Sequence, residues 1–182
     1  LPTSWGGLSL PRTATPSTVA IAALCAAGTS RPPRGDSLTR LARRLREGGP
    51  FVTTLAGARI AADGDSIVLT RDAGAVTPDR LAPLPLSPGE TAVWDGRFEI
   101  TADRADLTVR ALSGLATKLP APQQTMLKSI PVAARPTLPV LVGHDGAVSC
   151  PILAETPPVR VRALALVRFE AATGRPDREP AP

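Results

Sequence analysis

Twenty-one prolines, spread along all 182 residues rather than gathered in one linker, constrain this chain more than any other feature. Proline fixes φ and removes a backbone donor, so helices and inner strands interrupted this often must be short. The expectation is a fold of brief elements joined by turns, with a core sufficient for one domain or somewhat more. Few aromatics are available to build it: three Phe, two Trp and no Tyr. Val, Leu, Ile and above all Ala must fill the interior.

Residues 1–50 read as a helical linker region. The Gly/Pro/Ser/Thr-rich residues 1–15 have the composition of a loop. Thr15-Pro16 then has the form of a helix start, with Thr as N-cap and Pro in the first turn. An apolar helix from Pro16 to Ala27 ends at Gly28, the usual left-handed stop. After a turn over 29–35, Asp36 or Ser37 caps a second helix. In it Leu38, Leu41, Ala42 and Leu45 fall at i, i+3, i+4 and i+7, one buried stripe. Arg40, Arg43, Arg44 and Arg46 take the other faces, and Gly48-Gly49-Pro50 ends the helix.

Past Phe51 the texture turns to β. Residues 51–60 and 66–71 flank Ala-Asp-Gly-Asp, a hairpin with the Asp-Gly turn signal. A second Asp-Gly, at 95–96, lies between Val93-Trp94 and residues 98–100. Residues 107–112 form a further strand, and residues 123–130 a short helix between prolines. Residues 138–142 and 147–152 flank Gly-His-Asp-Gly in a third hairpin. Over 159–169, Val159, Val161, Ala163, Ala165, Val167 and Phe169 share one face while Arg160, Arg162 and Arg168 lie on the other. That period of two predicts one long strand, with Val161, Val167 and Phe169 buried. Residues 171–182 read as a disordered tail. The fold class is α+β: two N-terminal helices, then an antiparallel sandwich- or barrel-like domain over 51–170.

The net charge of +5 is unevenly placed. Residues 1–50 carry seven arginines against Asp36 and Glu47, whereas acids and bases balance over the remainder. The arginines concentrate at Arg31, Arg34, Arg40, Arg43, Arg44 and Arg46. Guanidinium groups bind phosphate oxygens bidentately, so such a face suits a nucleic-acid backbone, although charge alone favours a plain solvated face. No apolar run approaches the ~20 residues that span a bilayer. Residues 19–27 have the length of a secretory h-region, but Arg12 is the only charge upstream. The chain begins with Leu, as a portion of a longer protein does.

Motifs for catalysis are incomplete. Gly35-Asp36-Ser37-Leu38 spells the block of the GDSL esterases, whose nucleophilic Ser needs a His base. The one histidine is His144, and Leu141 stands where the orienting Asp is needed. Cys150 and His144 flank a tight turn with no third group to orient them. No Cys/His cluster offers a metal site. Asp63/Asp65 and Asp103/Asp106 lie in turn-like stretches as solvated caps. Gly-Asp-Ser occurs at 35–37 and 64–66, each time without the Ser-Gly that opens a pyrophosphate-binding PP-loop.

Five stretches in order resemble the C-terminal region of bacterial tRNA(Ile)-lysidine synthetases. They are Arg-Pro-Pro-Arg (31–34) with its Leu/Arg helix, Thr-Leu-Ala-Gly-Ala-Arg-Ile (54–60) and Val-Leu-Thr-Arg-Asp (68–72). Val-Trp-Asp-Gly-Arg-Phe (93–98), the most specific, and Leu-Pro-Val-Leu (138–141) complete the set. The resemblance implies a cytoplasmic ligase that adenylates cytidine 34 of an isoleucine tRNA with ATP, then lets lysine displace AMP. That chemistry belongs to an N-terminal PP-loop domain with Ser-Gly-Gly-x-Asp-Ser, so no catalytic residue and no cofactor is expected in this portion. What the resemblance implies here is tRNA placement, with Arg31, Arg34, Arg40, Arg43, Arg44 and Arg97 as candidate RNA contacts. For Arg97 a cation–π contact on Trp94 is the competing reading.

Overall fold

A computed structural model of the chain describes residues 4–75 and 81–174. Strand β1 (Leu8–Pro11) is followed by helices α1 (Pro16–Ala27) and α2 (Gly35–Glu47). Strands β2 (Phe51–Leu55), β3 (Ala58–Asp63) and β4 (Ser66–Arg71) come next. Then come β5 (Leu84–Leu86), β6 (Thr91–Trp94), β7 (Phe98–Ala102) and β8 (Leu107–Ala111). The chain continues through α3 (Ala121–Leu127), β9 (Pro139–Gly143), β10 (Val148–Ser149), β11 (Val159–Ala163) and α4 (Ala165–Ala172). Pairing is antiparallel in three sheets, of order β1-β4-β3-β2, β10-β9-β8-β5 and β11-β7-β6. The class is α+β, with two helices ahead of a β-rich body.

The first sheet carries α1 on one face. Seven α1 residues are buried, five of them alanines, which lets the helix lie close over Ile60, Ile67 and Leu69. Thr15 accepts a hydrogen bond from the Thr18 amide, and Gly28 closes the helix at φ 62°. From α2, Leu41 enters the same core while Leu38 and Leu45 pack at its margin. The second and third sheets face each other in a sandwich: Leu107, Val109 and Leu141 meet Phe98, Ile100 and Val159. Next to Leu141, Val140 turns into a third cluster with Leu127 of α3 and Leu138. The unbroken apolar run in β9 follows from burial on both faces.

Several expectations need correction. Residues 1–15 hold β1, which pairs with β4, so they are not all loop. Residues 51–60 are two strands, folded back at Ala56 (φ 50°) and Gly57 (φ 83°). Both turn residues have positive φ, the two-residue hairpin geometry, and an alanine there hides the signal. Helix α2 starts at Gly35, with Arg34 as N-cap and no side-chain cap bond, so Asp36 sits within the first turn. Residues 159–169 are not one strand. The strand ends at Ala163 and α4 begins, because Ala165, Leu166 and Phe169 have the helical spacing that packs against α1. Val161 and Phe169 are therefore only partly buried, and Val167 likewise, while Arg160, Arg162 and Arg168 are exposed as expected. Helix α4 also carries order through Ala172, and residues 175–182 of the expected tail lie outside the described residues. Residues 1–50 share one core with β2–β4 and Ala165 instead of standing apart as a linker.

Candidate nucleic-acid interface

Helix α2 positions the arginines. With Leu41 buried, 3.6-residue periodicity turns Arg40, Arg43 and Arg44 outward, and all three are exposed. They meet the edge strand of the first sheet, and a cleft of about 290 Å³ opens between Ser37, Arg40, Arg43, Arg44, Thr53 and Thr54. Arg40 Nη2 donates to Ser37 Oγ at 3.2 Å. Arg43 pairs with Glu47 at 3.7 Å, an exposed i,i+4 contact that contributes little to stability. Arg44 Nη1 donates to the Val52 carbonyl at 3.4 Å and stacks 5.9 Å from the centre of the Phe51 ring. On the same ring lies Arg12, at 5.5 Å, tied to the carbonyls of Gly49 and Gly64. Neither Arg12 nor Thr53 and Thr54 was legible as part of this surface, since only the fold brings residues 12, 44 and 51 together.

Arg34 is exposed at the start of α2, and Arg31 is exposed in the turn before it. Arg31 lines a separate hollow of about 790 Å³ with Thr29, Gly57 and Arg71. Arg97 is different: it is 1 % exposed. Its Nε donates to Asp95 Oδ2 at 2.8 Å and its Nη2 to the Thr137 carbonyl at 2.6 Å. Its guanidinium lies 4.9 Å from the centre of the Phe98 ring, so the aromatic partner is Phe98 and not Trp94. A phosphate outside cannot reach it, which corrects the RNA contact expected there. Burial lowers the Arg97 pKa to about 10, opposed by the Asp95 carboxylate, and the group remains a cation at neutral pH.

Asp95 also meets Arg71 Nε at 3.4 Å, and Arg71 Nη1 donates to the Gly57 carbonyl at 3.1 Å. Three of the five short stretches of the family resemblance thus converge on one interior seam, beside the residue that precedes a fourth. Residues 54–60 supply Gly57, 68–72 supply Arg71, 93–98 supply Asp95 and Arg97, and Thr137 immediately precedes 138–141.

The nucleophile candidates are held apart. Ser37 lines the arginine cleft, while exposed His144 lines a different one with Asp106 and Asp145. Cys150 is fully buried, and burial pushes its thiol from 9.0 up to about 12, so it stays protonated and unreactive at neutral pH. Both Gly-Asp-Ser pieces are structural, the first opening α2 and the second crossing the β3–β4 turn. Among the described residues, no His, Cys, Asp or Glu group of three or more converges as a metal site, and no helix is long and apolar enough to cross a membrane.

No protein-family model and no solved structure matches the chain. A tRNA(Ile)-lysidine synthase of Caulobacter vibrioides does, at 46 % identity over 180 residues. The match takes in 96 % of this chain and 44 % of that protein's length. Nearly the whole of this chain, seam and basic helix alike, is therefore similar in sequence to a portion of a tRNA(Ile)-lysidine synthase.

Proposed function

We propose that this chain is the tRNA-handling C-terminal part of a cytoplasmic, ATP-dependent ligase that attaches lysine to cytidine 34 of an isoleucine tRNA. The observation that carries the reading is the 46 % identity to the Caulobacter enzyme, sustained over 96 % of the chain. Adenylation and lysine transfer fall to a PP-loop domain, because Ser-Gly-Gly-x-Asp-Ser is absent from this sequence and its residues offer no ATP phosphate cradle. The part left to this chain is to hold the tRNA. Exposed Arg40, Arg43 and Arg44, with Arg31 and Arg34 beside them, suit phosphate oxygens of an RNA backbone.

Titration with tRNA over a range of salt tests the reading. Affinity should fall steeply, each phosphate contact contributing about 0.7–0.9 to the log–log slope. Replacing Arg40, Arg43 and Arg44 together with Gln keeps helix propensity and the Leu38/Leu41/Leu45 stripe. Binding should weaken for most tRNAs alike, with a slope shallower by about two to three units. An unchanged slope would remove α2 as the contact surface. Indifference of the unaltered chain to any tRNA would favour a stand-alone β-rich module with a merely solvated helix.

A further inference from the structure

Resting on that reading, we infer that the cleft between α2 and the free edge of β2 is a built seat for a backbone phosphodiester of RNA. The seat uses strand as well as helix: Thr54 contributes beside Arg40, Arg43 and Arg44. Strand β2 ends its sheet, bonded on one side to β3 and, among the described residues, on the other to no strand. Its outer edge must satisfy its own polar groups or offer them. The Val52 carbonyl faces this edge, because Arg44 reaches it. In an antiparallel strand the N–H and C=O of one residue point the same way, and the direction repeats every second residue. The Thr54 amide therefore faces the cleft too, as a donor toward the arginines' side.

Charge and rigidity agree with this use. Three guanidinium groups line the cleft and no carboxylate does among its described lining residues. Glu47, which pairs with Arg43, is not among the cleft's lining residues. Across the ladder from Thr54 stands Arg59, a further cation on the same sheet face. Arg44 is pre-positioned by the Phe51 ring behind it and by the Val52 carbonyl, so less side-chain freedom is lost when an anion arrives. A backbone amide, hydroxyls and guanidinium groups around one opening are the donor set that phosphate contacts draw on. A solvated helix face has the cations alone.

The experiment uses the full chain and tRNA binding at fixed low salt. Thr54→Glu places a carboxylate in the cleft, and Met126→Glu, on exposed α3 surface, serves as a charge-matched control. The expected result is a loss of at least about tenfold for T54E, with M126E much nearer the unaltered chain. Equal losses in the two variants, or no loss in T54E, would overturn the seat. If T54E is unaffected while R40Q/R43Q/R44Q is weakened, the tRNA reading stands and the strand's part in it falls. Should T54E lose its folded far-UV signal, an amide-resolved NMR titration of the unaltered chain with a short RNA oligonucleotide decides instead. The Thr54 amide shifts early and saturates with binding if the seat exists, and stays in place if it does not.

Discussion

Asp95 is the residue on which the interior charge balance turns. Its carboxylate lies 2.8 Å from Arg97 Nε and 3.4 Å from Arg71 Nε, with all three side chains at or below 1 % exposure. Charges this deep are tolerated only while paired and hydrogen-bonded. Its backbone has φ 50°, a left-handed conformation that Asp and Asn accept more readily than other side chains. Asp95→Asn keeps that backbone and removes only the charge, leaving two buried guanidiniums facing each other. We expect a loss of about 3–5 kcal/mol in urea unfolding. A loss below about 1 kcal/mol would show that the seam does not depend on the carboxylate. The same residue explains why Trp-Asp-Gly-Arg-Phe was legible as a motif yet its role was not. A turn arginine looks like a surface ligand until the seam closes over it.

At the scale of elements, the seam is a contact between the end of α1 and the β6–β7 turn. A Cβ on Gly28 would stand 2.2 Å from the Asp95 carbonyl oxygen, and one on Gly96 would stand 2.3 Å from the Gly28 carbonyl. The two glycines are thus needed for close approach as well as for left-handed backbone. Gly48, which ends α2 at φ 80°, has nothing within 4 Å of such a Cβ. Gly48→Ala should therefore cost only the backbone term, about 1–2 kcal/mol. Gly28→Ala should exceed it by about 2 kcal/mol or more, because the β6–β7 turn must shift. Equal denaturation midpoints for the two variants would refute the close approach. From the sequence, Gly28 was readable as a helix stop. Its second task was not, because its partner lies 68 positions away in the chain, at Gly96.

Taken whole, the molecule closes on itself through its last helix. Ala165, Leu166 and Phe169 pack into the core formed by β1–β4, α1 and α2, so the lobe built from the first elements is completed by the last described helix. The backbone of Leu164 is tied to the Arg97 carbonyl at 2.8 Å, and Arg168 donates to the Gly96 carbonyl. Helix α4 therefore docks against both α1 and the seam. Phe169 is only partly buried, so Phe169→Ala should cost about 1.5–3 kcal/mol, below the ~3–5 kcal/mol of a fully buried phenylalanine. Thermal unfolding followed by circular dichroism checks this, and a change within about 0.5 kcal/mol would mean that α4 is not part of the core.

What the sequence determined by itself was local. The Thr-Pro start and Gly stop of α1, the leucine stripe of α2, the Asp-Gly hairpins and the α+β class all depend on interactions between near neighbours in the chain. The exposure of Arg40, Arg43 and Arg44 followed in the same way, from a stripe of period 3.6. Tertiary structure decided the rest. Period two over 159–169 gave way after Ala163, where Ala165, Leu166 and Phe169 pack as a helix against the core that holds α1. Arg97 left the surface because Asp95, Thr137 and Phe98 together replace its water. Thr54 became a neighbour of three arginines because β2 is an edge strand with α2 lying beside it. Each of these turns on at least one contact distant in sequence, such as that of Arg97 with the Thr137 carbonyl, which outweighs the local preference of the residues involved.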